Sequence, residues 1–167
     1  FSGMQPSGNF HLGNYLGAIR PALESTRDCE GVFFIADYHA LTSVHDGASL
    51  REQIYQVAAT WLALGLDPEK TLFYKQSDIP EIFELSWILG CFTPKGFMNR
   101  AHAYKDRVAK NLAAGEEEDA GINMGLYSYP VLMDADILLF SADFVPVGKD
   151  QKQHVEFARD VAQRFNA

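Results

Sequence analysis

Val32-Phe-Phe-Ile-Ala36 is an unbroken β-favouring run, and Asp37-Tyr38-His39 follows at once. Apolar residues without alternation fit a strand covered on both faces, the habit of parallel sheets. Downstream, Ser49-Leu-Arg-Glu52 reads as a capping box, and Leu50, Ile54, Val57 and Trp61 recur at helical spacing until Gly65. Asp67-Pro68 turns the chain into a second strand, Thr71–Tyr74, and Pro80 opens a helix that runs to near Gly90. Upstream, a short strand ends near Gln5 and a helix starts near His11, with Leu12, Ile19 and Leu23 on compatible turns. Towards the far end, Phe144–Val147 predicts a short strand that Pro146 confines to an edge. Asp150-x-x-Gln153 then caps a helix carrying Val155, Ala158, Val161 and Phe165 on one face. Strands alternating with helices predict an α/β fold, a doubly wound parallel sheet. Ligands of such sheets bind beyond the carboxyl ends of the strands.

The 167 residues are 47% hydrophobic and 22% charged, the balance of an ordinary globular domain. A net charge of −8 is the wrong sign for a free-standing nucleic-acid clamp. No apolar run reaches the length of a membrane span, and no secretory signal is visible. Cys29 and Cys91 form no CxxC pair, which argues against a zinc site or a disulfide scaffold and fits a reducing cytoplasm. The acidic run in Ala113-Ala-Gly-Glu-Glu-Glu-Asp-Ala-Gly121 reads as a solvated or mobile loop. The chain starts at Phe1 and stops at Ala167 just after a helix-like stretch, so a fragment is expected.

The strand-to-helix junctions hold the unusual chemistry. In the first, Gln5-Pro6-Ser7-Gly8 turns into a helix whose free N–H groups and dipole suit a phosphate, with His11 and Asn14 as added donors. Gly13 and Gly17, one turn apart, admit either a flat ligand or a neighbouring backbone. In the second, His39 either lines a pocket or is structural. In the third, a helix over 126–140 places Tyr129, Met133, Asp136 and Phe140 on one stripe, with Asp134 pointing elsewhere. A carboxylate on that apolar face needs either a protein donor or a ligand N–H. After the last strand, Gly148 permits close approach, Asp150 can accept from ribose hydroxyls or serve only as a cap, and Gln151 can bond polar ligand groups. Lys105 and Arg107 reach either phosphates or solvent.

Together FSGMQPSGNFHLGNYLGA, IADYHALT, YPVLMDADILLF and VPVGKDQKQHVEFARD resemble the bacterial-type tryptophanyl-tRNA synthetases, a family of class I aminoacyl-tRNA synthetases. His11-Leu-Gly-Asn14 is similar to the class's His-x-Gly-His signature, with asparagine last. The resemblance implies that residues 1–167 are a Rossmann-like ATP- and tryptophan-binding catalytic domain. It implies an ATP-dependent ligase that makes tryptophanyl-adenylate and then charges tRNA(Trp), acting as a cytoplasmic homodimer with no membrane partner. Mg²⁺ would arrive with ATP, without dedicated protein ligands. Gln5, Pro6, Ser7, Gly13 and Asn14 would hold ATP, His11 and Asn14 being the catalytic pair, with Gly148, Lys149 and Asp150 on its adenosine and Lys105 on phosphate. Asp136 would accept the indole N–H, Tyr129 and Gln151 would serve the amino-acid backbone groups, and Phe1, His39 and Met133 would frame the ring. Lys149 stands where the family commonly has glutamate. The second signature, Lys-Met-Ser-Lys-Ser, does not occur in the chain; the resemblance implies that it and the anticodon-reading helical domain would follow Ala167 in a full-length enzyme, and that this fragment binds ligands without that loop. A tyrosyl-tRNA synthetase, a small nucleotidyltransferase and a non-catalytic tryptophan or ATP sensor are the rival readings.

Overall fold

A computed structural model of the chain describes residues 1–8, 10–148 and 151–167. The chain divides into two compact units, Phe1–Ile79 and Pro80–Ala167.

The first unit is built on a parallel sheet in the order β1 (Ser2–Met4), β2 (Gly31–Ile35), β3 (Thr71–Lys75). The register pairs Gly3 with Phe34 and Phe34 with Tyr74. As the unbroken apolar run predicted, β2 is covered on both sides. Phe33 and Ile35 pack with Val57 and Trp61 in the core, Phe33 and Trp61 having their ring centroids 5.0 Å apart. On the opposite face Phe34 lies between Phe1, at 5.1 Å, and Tyr74, at 5.5 Å. Gly3 makes this row possible, because a Cβ there would sit 2.3 Å from the Phe34 ring.

The connection from β1 to β2 is helical over α1 (Leu12–Asn14), a π-helical segment (Tyr15–Ile19) and α2 (Arg20–Ser25). The π turn winds more slowly than an α turn, which takes Leu12 out of phase with Ile19. Ile19 is buried and Leu23 packs on the core, whereas Leu12 is 69% exposed, against the sequence expectation. After β2 come α3 (Asp37–Ala40) and α4 (Gly47–Ala63). The cap of α4 is Asp46, whose carboxylate accepts from the Ser49 N–H at 2.7 Å, so the predicted Ser49 capping box is displaced. Asp46 lies in the extended backbone that a cap needs, and Ser49 already lies inside the helix.

The second unit is helical: α5 (Pro80–Phe92), α6 (Lys95–Met98), α7 (His102–Ala113), α8 (Met124–Leu139) and α9 (Lys152–Phe165). Helix α8 packs against α5, α6, α7 and α9, which is why residues on several of its sides are buried. The expected strand at 144–147 does not form; Pro146 has no N–H to give a ladder, and these residues are irregular. The buried face of α9 is His154, Phe157, Ala158 and Val161, while Phe165 is 44% exposed. The acidic stretch is solvent-exposed but anchored. Tyr104 Oη donates to Asp119 at 2.9 Å, and Asn111 Nδ2 donates to the carbonyls of Glu118 and Ala120 at 3.0 and 2.8 Å.

Candidate functional site

In the first unit the carboxyl ends of adjacent strands are drawn together. The Ala36 N–H donates to the Met4 carbonyl at 2.9 Å, and the Gln5 amide donates to the His39 carbonyl at 3.4 Å. Pro6 is buried and Ser7 exposed, and Gly8 turns the chain at a φ of +79°. His11 caps α1: its Nδ1 accepts from the Gly13 N–H at 3.1 Å, and Asn14 Oδ1 accepts from the His11 N–H at 3.0 Å. This reciprocal pair satisfies donors at the helix start. It also sets chemistry, because a neutral imidazole that accepts at Nδ1 carries its proton on Nε2. His11 Nε2–H and the Asn14 amide N–H groups are then the donor ends of the pair. Gly13 leaves room for the ring, since a Cβ there would lie 3.0 Å from His11 Nδ1. A Cβ at Gly17 would meet nothing within 4 Å among the described residues, so none of them requires that glycine.

Sequence reasoning missed the groups that brace the turn on which His39 stands. Asp37, 7% exposed, accepts the Ser77 N–H at 3.0 Å, and fully buried Gln76 accepts the Tyr38 N–H at 3.1 Å. These bonds tie the end of β2 to the 3₁₀ turn Gln76–Asp78 after β3. A carboxylate at the end of an apolar strand was the available signal.

In the second unit Tyr129, Met133 and Asp136 share a stripe of α8, as expected. Tyr129 and Met133 are half-buried and Asp136 is 1% exposed. Asp134 points away from that stripe, as expected, yet it is completely buried, and neither carboxylate oxygen has a hydrogen-bond partner among the described residues. The angle between the two aspartates around the helix was read correctly, but α8 is enclosed on more than one side. Burial, and then the Asp136 charge, push the Asp134 carboxyl up to about 8. Tyr129 Oη lies 2.6 Å from Nε2 of His154, a buried residue the sequence reading passed over, and burial pushes the phenol up to about 12. The run 154, 157, 158, 161 carried the signal, with histidine counted as polar. Gln151 precedes α9 and its N–H donates to the Gly148 carbonyl at 3.0 Å. Lys105 is exposed on α7. Lys149 and Asp150 lie outside the described residues. No group of three or more His, Cys, Asp or Glu that could hold a metal ion stands among the described residues.

Residues 1–167 match the family model described as tRNA synthetases class I (W and Y). The chain belongs to that family. This class I synthetase chain is 59% identical over 167 residues to a tryptophan–tRNA ligase of Pseudomonas aeruginosa, covering 99% of itself and 37% of the relative. It superposes with a TM-score of 0.87, at 52% identity, on the tryptophanyl-tRNA synthetase of Campylobacter jejuni complexed with ADP and tryptophan, covering 98% of itself and 49% of that chain. A tyrosyl-tRNA synthetase of Archaeoglobus fulgidus shares the fold, with a TM-score of 0.75 at 20% identity. The synthetase chain thus spans under half the length of the first two of these relatives. Its fold is the mixed α/β fold with a parallel sheet that the sequence predicted.

Proposed function

We propose that residues 1–167 act as one ATP- and tryptophan-binding domain of a cytoplasmic tryptophan–tRNA ligase. The reading is carried by 59% identity along the whole chain to a tryptophan–tRNA ligase. In the first step the tryptophan carboxylate attacks the α-phosphorus of ATP, and pyrophosphate leaves with the electron pair of the broken P–O bond. In the second, a terminal ribose hydroxyl of tRNA(Trp) attacks the adenylate carbonyl, and AMP leaves.

Attack by a carboxylate that is already ionised calls for positioning and charge stabilisation rather than a protein nucleophile. His11 Nε2–H and the Asn14 amide donate to phosphate oxygens, with Gln5, Pro6, Ser7 and Gly13 shaping the turn. Lys105 adds a phosphate contact, and Gly148, Lys149 and Asp150 hold the adenosine. Mg²⁺ enters on the phosphates of ATP as part of the substrate. Asp136 accepts the indole N–H, Tyr129 and Gln151 take the amino-acid backbone groups, and Phe1, His39 and Met133 frame the ring. A desolvated acceptor of this kind rejects side chains that cannot donate to it. The partner for dimerisation is a second copy of the chain.

Calorimetric titration of the chain with L-tryptophan and L-tyrosine tests the reading. Tryptophan is expected to bind with tyrosine silent; tyrosine binding, or no binding of either by folded protein, contradicts it.

A further inference from the structure

Helix α9 turns Phe157, Ala158 and Val161 inward, and with them a histidine. His154 is 3% exposed, at a position where an aliphatic side chain would fill the space without desolvating a polar ring. Its Nε2 lies 2.6 Å from Tyr129 Oη, and the two rings stand 5.4 Å apart at 42°. Burial keeps the Tyr129 phenol protonated at neutral pH. A protonated phenol has one O–H to give and lone pairs that accept. The amino acid proposed to face it offers an ammonium, which only donates, and a carboxylate, which only accepts.

We infer that His154 is a positioning residue for Tyr129: its Nε2 takes the phenol hydrogen bond, so the Tyr129 oxygen meets the amino acid as an acceptor for the α-ammonium. The inference rests on the tryptophan reading above. With the opposite polarity, a histidine donating to the phenol would turn the O–H towards the ligand, where it would oppose the ammonium. His154 therefore sets which end of the amino acid Tyr129 can hold, without touching the substrate itself.

The test compares two ligands on the same chain by calorimetry, L-tryptophan and indole-3-propionate. The second keeps the indole and the carboxylate and lacks the ammonium. His154→Leu is expected to weaken tryptophan about tenfold, the scale of one buried hydrogen bond, and to leave indole-3-propionate within about twofold. His154→Gln, which supplies an amide acceptor, is expected to restore tryptophan to within about threefold of wild type. If the leucine variant does not fold by circular dichroism, His154→Phe keeps the ring and removes the acceptor, with the same expected split. Unchanged tryptophan binding in the folded variant, or equal loss of both ligands, overturns the role. A folded wild-type chain that binds neither ligand contradicts the tryptophan reading itself, and the inference with it, before any variant is made.

Discussion

In residues 1–79 most of the groups proposed to meet the nucleotide are exposed, and His11 and Asn14 are held by a helix cap. His11 and Asn14 each spend one polar end on a helix cap and keep donors at the other. In residues 80–167 three of the groups proposed to meet the amino acid, Tyr129, Met133 and Asp136, hang from one enclosed helix. Asp134 and Asp136 are 0% and 1% exposed, and Tyr129 is fixed by a buried histidine. Phosphates carry their own charge and need only well-placed donors, which the outer ends of the His11–Asn14 cap supply. Indole carries one N–H, and recognising it requires an acceptor kept from water. The first region should therefore tolerate substitution in stability and lose nucleotide binding modestly, while the second should respond to changes of charge.

The largest expected effect sharpens that contrast. Asp134 releases its proton near 3.8 when unfolded and near 8 when folded. Between those values the folded chain binds more protons, so stability falls as pH rises from about 4 to 8. Asp134→Asn removes that penalty and is expected to raise stability at pH 8 by on the order of 3 kcal/mol, less at pH 5, allowing for a buried amide without a partner. Urea denaturation across pH measures this, and a variant that keeps the wild-type slope would show that Asp134 is not the titrating group.

Gly3→Ala comes next and asks how rigid the sheet beside the exposed cap groups is. The new methyl would strike the Phe34 ring, with an expected loss of about 2 kcal/mol in denaturant titrations. An unchanged midpoint would mean that the Phe1–Phe34–Tyr74 row yields easily. His11→Ala should cost about 1 kcal/mol as a lost cap, together with a several-fold loss in ATP affinity measured by calorimetry. ATP binding untouched by that change would remove His11 from the nucleotide site. Gly17→Ala is the smallest: with open space around the new methyl it should be stabilising by about 0.5 kcal/mol. A sharp fall in ATP binding there would instead show that the glycine serves close approach of a ligand.

Most of what could be read from the sequence came from local rules. The apolar run of β2 announced a strand covered on both faces, and the stripe of Tyr129, Met133 and Asp136 follows from helical spacing alone. The errors lie where one element's environment is set by others. Leu12 was placed inward because nothing in the sequence shows that a π turn will shift its phase. The burial of Asp134 was not foreseen, because the angle between two side chains does not say how many neighbours enclose a helix. His154 escaped because a polar residue on a core face reads as an interruption until its partner, 25 residues earlier, is seen beside it. Ser49 lost the cap to Asp46 because both are residue types that favour an N-cap and only backbone conformation chooses between them. The strand proposed at 144–147 rested on β-favouring residues, and Pro146 prevailed against them.

The central claim is that the buried Asp136 carboxylate reads the indole N–H. Its most direct test is a thermodynamic cycle between Asp136 and that N–H. Wild type and Asp136→Ala are each titrated with L-tryptophan and with its benzothiophene analogue, in which sulfur replaces the N–H. Wild type is expected to prefer tryptophan by about a hundredfold, as a site with a desolvated acceptor should, and Asp136→Ala to bind both weakly with the preference gone. A preference that survives intact in folded Asp136→Ala would contradict the account.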